Sequence, residues 1–166
     1  MAPRCPRRWR SYGASRGRTR LRAEAPPAIY LDASAVVKLV MDERESEALR
    51  AFLATRGRQM SSEILITESA RAVQRRAAVR GEEQGPLLSR LAELVGGLYL
   101  RLLDRQLLMR AGRLPPAALR TLDAIHLATA LSAPRVPDSF VSYDRRQLEA
   151  ARSVGLPTAS PGGKVG

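Results

Sequence analysis

Short β-rich runs that alternate with longer helical patterns constrain this chain most. Residues 29–32, a stretch near Met60, residues 98–103 and residues 140–143 read as strands, and the segments between them carry apolar positions at helical spacing. Strands separated by helices cannot be joined by tight hairpins, so the alternation implies an α/β domain with a mainly parallel sheet.

Punctuation residues divide the helical segments. Residues 34–40 begin the first helix and 43–55 continue the periodicity to a stop at Gly57. Ser62 is placed as the N-cap of a helix running to about Arg80 before Gly81, and Pro86 fits the first turn of another that ends at Gly96 and Gly97. Asp104 caps a short helix closed by Gly112, and Thr121 caps the helix that carries Asp123, His126 and Leu127. Residues 145–153 form the last helix, and 157–160 add an edge strand.

With 166 residues the chain fits one domain with a full core. Residues 1–27 hold eight Arg and one Glu, a net of +7, which leaves +5 of the formal +12 to the remaining residues. That opening segment is rich in Arg, Pro, Gly and Ser, and reads as a disordered basic tail or a mis-called start. Residues 28–162 are the expected domain and 163–166 a flexible C-terminus. The basic excess suits a nucleic-acid partner, although an Arg-rich codon bias produces the same composition. Cys5 is the lone cysteine, so no disulfide forms within the chain and a reducing cytoplasm is expected. No apolar run is long enough to span a membrane.

Four acids lie where packing alone would not put them. Asp32 ends the run Ile29, Tyr30, Leu31; Asp144 follows Phe140 to Tyr143; Asp123 opens an apolar helix pattern; and Glu68 sits about two turns into its helix. Carboxylates at the ends of buried segments need a counter-charge or a metal. With one His and one Cys in the chain, an all-oxygen site points to a hard divalent cation, magnesium or manganese. Asp32 and Asp144 both fall at strand ends, the edge on which open parallel sheets bind ligands.

The segments Tyr30-Leu31-Asp32-Ala33-Ser34-Ala35, Thr67-Glu68, Thr121 to Ala130 and Val141-Ser142-Tyr143-Asp144, taken in order, resemble the motifs of PIN-domain proteins of the VapC toxin type. The resemblance covers roughly residues 28–162 and implies a three-layer α/β/α domain. It implies a magnesium- or manganese-dependent endoribonuclease, paired with an antitoxin and commonly homodimeric, that hydrolyses RNA. Asp32, Glu68, Asp123 and Asp144 match its acidic positions. Asp32 and Asp123 are implied as direct metal ligands, with Glu68 and Asp144 bound directly or through water. Ser34 and Ser142 match small hydroxyl positions that hold water or orient carboxylates, against plainer roles as a helix cap and an ordinary strand residue.

Other features carry two readings. His126 is either a base or, the favoured reading, part of the packing motif. Arg71, Arg75, Arg76, Arg145 and Arg146 either grip RNA phosphates or form a solvated basic face, and Arg145 is the one chosen for substrate binding because it follows Asp144. Four Tyr, two Phe and one Trp are too few for a broad base-stacking platform. A haloacid-dehalogenase-type phosphatase also places an Asp after the first strand, but needs a second acid where this chain has Ser34. The remaining alternative is a degenerate PIN-like module that binds RNA or protein without cutting.

Overall fold

The computed structural model describes residues 28–163, so the expectations for residues 1–27 and for the last three positions lie outside the described residues. Five parallel strands form one sheet: β1 (Ala28–Leu31), β2 (Arg58–Ser62), β3 (Tyr99–Arg101), β4 (Ser139–Val141) and β5 (Thr158–Ala159), in the order β3-β2-β1-β4-β5. Seven helices connect them among the described residues: α1 (Ala33–Met41), α2 (Ser46–Ala54), α3 (Leu65–Arg80), α4 (Gln84–Gly96), α5 (Arg105–Ala111), α6 (Thr121–Leu131) and α7 (Arg145–Ser153).

Strand alternation sorts the two faces of the sheet. On the central strand β1, Ile29 and Leu31 pack with Val36, Leu49, Val73 and Leu91 of α1 to α4, whereas Tyr30 turns to Leu127 of α6, Ala151 of α7 and Phe140 of β4. The Tyr30 and Phe140 rings stack with centroids 4.9 Å apart. Helix α5 packs on α6 through Leu107, Ala111, Ala124, Ile125 and Ala128. Helices therefore cover both faces, and the arrangement is the expected three-layer α/β/α domain with a parallel sheet.

The chain moves from β1 through β2 to β3 on one side, then returns to add β4 and β5 on the other. The order reverses between β1 and β4, and such a switch point opens a crevice beyond the strand ends. The register Leu31↔Val141 and the bond from Asp32 N–H to the Val141 carbonyl at 3.0 Å set Asp32 beside Ser142 at that crevice.

Several local expectations are corrected. Ser62 does not cap α3; it is a fully buried residue of β2, and α3 starts at Leu65 after Ile64, without a side-chain cap. Glu68 consequently lies in the first turn of α3 rather than two turns in. The helix expected over 43–55 begins only at Ser46, because Asp42 turns the chain through the left-handed region at φ 49°. Thr121 is the first residue inside α6, with Arg120 at the cap position. Asp104 does cap α5, accepting from Leu107 N–H at 2.8 Å. No helix among the described residues is long and apolar enough to cross a membrane.

Candidate active site

A cleft of about 260 Å³ lies at the switch point, and all four acids singled out by sequence line it. Each comes from a different place in the fold: Asp32 from the end of β1, Glu68 from the first turn of α3, Asp123 from the first turn of α6 and Asp144 from the turn between β4 and α7. Ser34 and Gln147 join them on one side, and Arg120, Thr121 and Leu122 on the other.

Asp32 is the most constrained of the four, at 3% exposure. It caps α1, accepting from Ser34 N–H at 3.2 Å. The Ser34 hydroxyl donates to the same oxygen, Oδ2, at 2.6 Å, and the Ser142 hydroxyl donates to it at 2.9 Å. Both hydroxyls also accept a backbone bond from the β4–α7 turn, Ser34 Oγ from Tyr143 N–H at 2.8 Å and Ser142 Oγ from Asp144 N–H at 3.1 Å. The two serines therefore act as clips between β1 and β4. Their plainer roles give way: Asp32, not Ser34, supplies the cap, and Ser142 faces the site. With the Gln147 amide turned so that its nitrogen faces acceptors, it donates to both oxygens of Asp32 at 2.9 Å.

Glu68 is oriented through a buried chain. Ser62 N–H donates to the Tyr30 hydroxyl at 3.1 Å; that hydroxyl meets His126 Nδ1 at 2.7 Å; and His126 Nε2 meets Glu68 Oε2 at 2.9 Å. His126 is wholly buried, with Asp32 Oδ1 at 3.8 Å from Nε2, and its ring links Tyr30 to Glu68 behind the open cleft. Burial alone would depress the imidazole, but the Glu68 hydrogen bond and the charges of Asp32, Glu68 and Asp123 outweigh it and raise His126 above its ordinary value.

Asp144 caps α7 through Oδ1, which accepts from Arg146 N–H at 2.8 Å and Gln147 N–H at 3.4 Å, leaving Oδ2 free of these bonds. Asp123 is half-buried. Burial first, then the charges of Asp144 and Asp32, push its carboxyl above the ordinary range, and Arg120 pulls the other way.

The donor set fits a hard cation. Four carboxylates line one cleft, Asp32 partnered by hydroxyls and an amide and Glu68 by the imidazole, and none of the four has a Lys or Arg within ion-pairing distance among the described residues. Among the described residues, no three His, Cys, Asp or Glu side chains are drawn together closely enough to hold a metal ion as they stand. Carboxylates spread round an open cleft suit magnesium or manganese, ions that keep several of their waters.

Arg145 does not line the cleft; its exposed side chain leans on Glu149 at 3.7 Å, one turn along α7. Arg120 lines the cleft instead, from a loop whose end sequence patterning set one residue too late. Gln147 was also missed, although its position three residues after Asp144 puts it on the inward face of α7.

Residues 29–153 match the model of the PIN domain. The chain is 42% identical over 134 residues to Ribonuclease VapC46 of Mycobacterium tuberculosis, covering 81% of this chain and 98% of that protein. It is 38% identical over 134 residues to Ribonuclease VapC47 of the same species, covering 81% and 97%. Among solved structures, M. tuberculosis VapC20, described as a sarcin-ricin loop cleaving toxin, superposes with a TM-score of 0.61 at 14% identity over 80% of this chain and 99% of its own. VapBC-1 from nontypeable Haemophilus influenzae superposes with a TM-score of 0.54 at 12% identity, over 80% and 97%. Those likenesses confirm the fold, and with the family match and the identity to curated relatives they show that the chain belongs to the PIN-domain family, among its VapC-type toxin ribonucleases.

Proposed function

We propose that the protein is a magnesium- or manganese-dependent endoribonuclease that hydrolyses RNA phosphodiester bonds as the toxin of a toxin–antitoxin pair. The observation that carries this reading is the convergence of Asp32, Glu68, Asp123 and Asp144, from four separate elements, on one cleft in which, among the described residues, no Lys or Arg lies within ion-pairing distance of them. Similarity to ribonucleases over four-fifths of the chain supports the same chemistry.

Asp32 and Asp123 would hold the metal directly, with Glu68 and Asp144 completing its surroundings directly or through water. A divalent ion bound there supplies charge neutralisation for the phosphodiester and a water made nucleophilic near neutral pH. The chain's own residues prepare that chemistry. Ser34 and Ser142 donate to Oδ2 of Asp32 and the turned Gln147 amide reaches both oxygens, so the carboxylate is fixed in orientation with Oδ1 the less heavily bonded of the two. His126 aligns Glu68 through Oε2, and Arg120 offers a guanidinium to a phosphate at the rim.

On this reading residues 28–162 form the nuclease domain and the protein works in the cytoplasm, with a cognate antitoxin and a second copy of the chain as partners. Exposed apolar side chains on α3, α5 and α6, among them Ile66, Leu108 and Met109, leave surface for such partners. Residues 1–27 stand outside the nuclease domain, so a chain lacking them retains cleavage.

The test is RNA cleavage with magnesium or manganese, with and without chelator, for wild type, Asp32→Asn and Asp123→Asn. Activity confined to wild type with metal is expected. Cleavage that persists in chelator or in both variants would overturn the mechanism, and RNA binding without cleavage by wild type would favour the non-cutting module.

A further inference from the structure

The loop between α5 and α6 and the outer face of α7 enclose a second hollow, of about 270 Å³. It meets the catalytic cleft at Arg120 and Asp123, which line both. One wall is aliphatic, made by Pro116, Ala118 and Leu119 against Ala150 of α7. The other is cationic. Arg146 stands on α7 and Arg120 at the junction, and neither guanidinium has a carboxylate within ion-pairing distance among the described residues, unlike Arg50, Arg76, Arg90 and Arg101. Glu149, also in the wall, is engaged by Arg145 at 3.7 Å.

We propose that this hollow is a nucleotide subsite, which receives the nucleotide adjoining the scissile phosphate, its base on the aliphatic wall and its backbone phosphate between Arg120 and Arg146. The inference rests on the ribonuclease reading. Two features select a nucleotide over a peptide. The hollow continues the cleft in which a phosphodiester must lie, and it sets two guanidiniums that make no ion pair among the described residues beside an apolar wall, the two faces that a nucleotide presents. With so few aromatic residues in the chain, Pro116 and Leu119 replace stacking by aliphatic contact. Arg146 binds a phosphate and therefore sets affinity and register, whereas the aliphatic wall selects the base.

The test uses a labelled oligoribonucleotide that spans a cut mapped in total RNA after wild-type digestion. Arg146→Ala removes the guanidinium but keeps the backbone N–H that bonds Asp144 Oδ1 at 2.8 Å, and Ala118→Glu, at an exposed loop position, brings a negative charge into the hollow. Each variant is expected to raise KM roughly tenfold with kcat within about twofold of wild type, and Arg146→Ala to reduce the salt dependence of binding by the equivalent of about one phosphate contact. Melting temperatures near that of wild type show that both variants fold; a variant that does not is replaced by Arg146→Gln or Ala118→Asp. Unchanged KM in both overturns the subsite, as does a fall in kcat alone, which would mean a disturbance passed to Asp123 or Asp144. Unchanged KM with weakened inhibition by an antitoxin assigns the hollow to a protein partner and overturns it equally. Absence of RNA cleavage by wild type removes the ribonuclease reading itself, an outcome distinct from active wild type with indifferent variants.

Discussion

Helix α1 has an acidic cluster at each end, and the two are built on opposite plans. At its C-terminus, every acid is met by a cation from the chain. Lys38 Nζ bonds Glu43 at 2.8 Å and Glu45 at 2.6 Å, Arg76 and Arg80 close on Glu43, and Arg50 and Arg90 close on Asp42, with Arg90 at 2.7 Å. At its N-terminus Asp32 meets serines and a glutamine, Glu68 a histidine and Asp144 backbone N–H groups, and none of these acids or Asp123 meets a Lys or Arg within ion-pairing distance among the described residues. The helix dipole accounts for only part of this, since it favours an anion at Asp32 but cannot neutralise four. Acids matched by the chain's own cations fasten four helices together. Acids left unmatched are arranged for a cation from outside.

The largest expected effect breaks the unmatched end. Asp123→Asn should lower RNA cleavage by on the order of a thousandfold. It should also raise the melting temperature in chelator, because it removes a carboxyl that burial and its neighbours Asp144 and Asp32 disfavour in its charged form. A variant that loses activity and also melts lower in chelator would show that the N-terminal acids are structural after all. Metal titration sharpens the same point, since manganese should raise the melting temperature of wild type and leave Asp32→Asn unmoved.

Next in size is the support behind Glu68. His126→Asn shortens the chain from Ser62 through Tyr30 and should reduce cleavage and metal affinity roughly ten- to a hundredfold, the usual cost of losing a group that orients a ligand. Tyr30→Phe keeps the ring stacked on Phe140 and should show a milder version of the same loss. Manganese affinity unchanged in both variants would reduce His126 to packing.

The four acids were legible in sequence because each breaks an expectation: apolar runs and helix starts that end in a carboxylate have a physical cost that calls for a partner. The α/β class and its mainly parallel sheet were legible for a related reason, since periodicity reports burial, whereas the order of the strands was not. What supports the acids was not. Ser62 has the composition of a helix cap, yet the strand through Met60 runs on to include it, and pairing with β3 outweighs its local preference. Gln147 is an ordinary helix residue until α7 turns it toward Asp32. Arg145 and Arg120 show the limit from the other side. Proximity in sequence to Asp144 favoured the first, but one turn of helix directs it to Glu149, while a loop brings the second to the cleft.

At the matched end, Glu43→Gln tests whether the network holds the helices. Glu43 and Lys38 are nearly buried, with side chains 13% and 11% exposed, so removing the charge leaves Lys38, Arg76 and Arg80 short of a partner. A loss of about 2 kcal/mol in unfolding free energy is expected, with turnover within about twofold of wild type. Urea denaturation beside the cleavage assay separates the two ends of α1. A variant that kept its stability but lost activity would reverse the comparison.

The smallest effect concerns Asp42, whose carboxyl the Arg90 and Arg50 bonds hold down to about 2 from an ordinary 3.8. A depressed carboxyl contributes stability that is complete above its unfolded value and is lost as pH falls through its folded one, so the window lies between about 3.8 and about 2. Asp42→Asn removes the titration while keeping a side chain that tolerates the left-handed turn at φ 49°. The urea midpoint of wild type should therefore exceed that of the variant at pH 5 and converge on it near pH 2. The side chain is 59% exposed, so the gap should be slight and should shrink further in high salt. A gap that stayed constant across this range would mean that Asp42 is held by its backbone turn and not by its charge, and the matched end of α1 would then rest on Glu43, Glu45 and Lys38 alone.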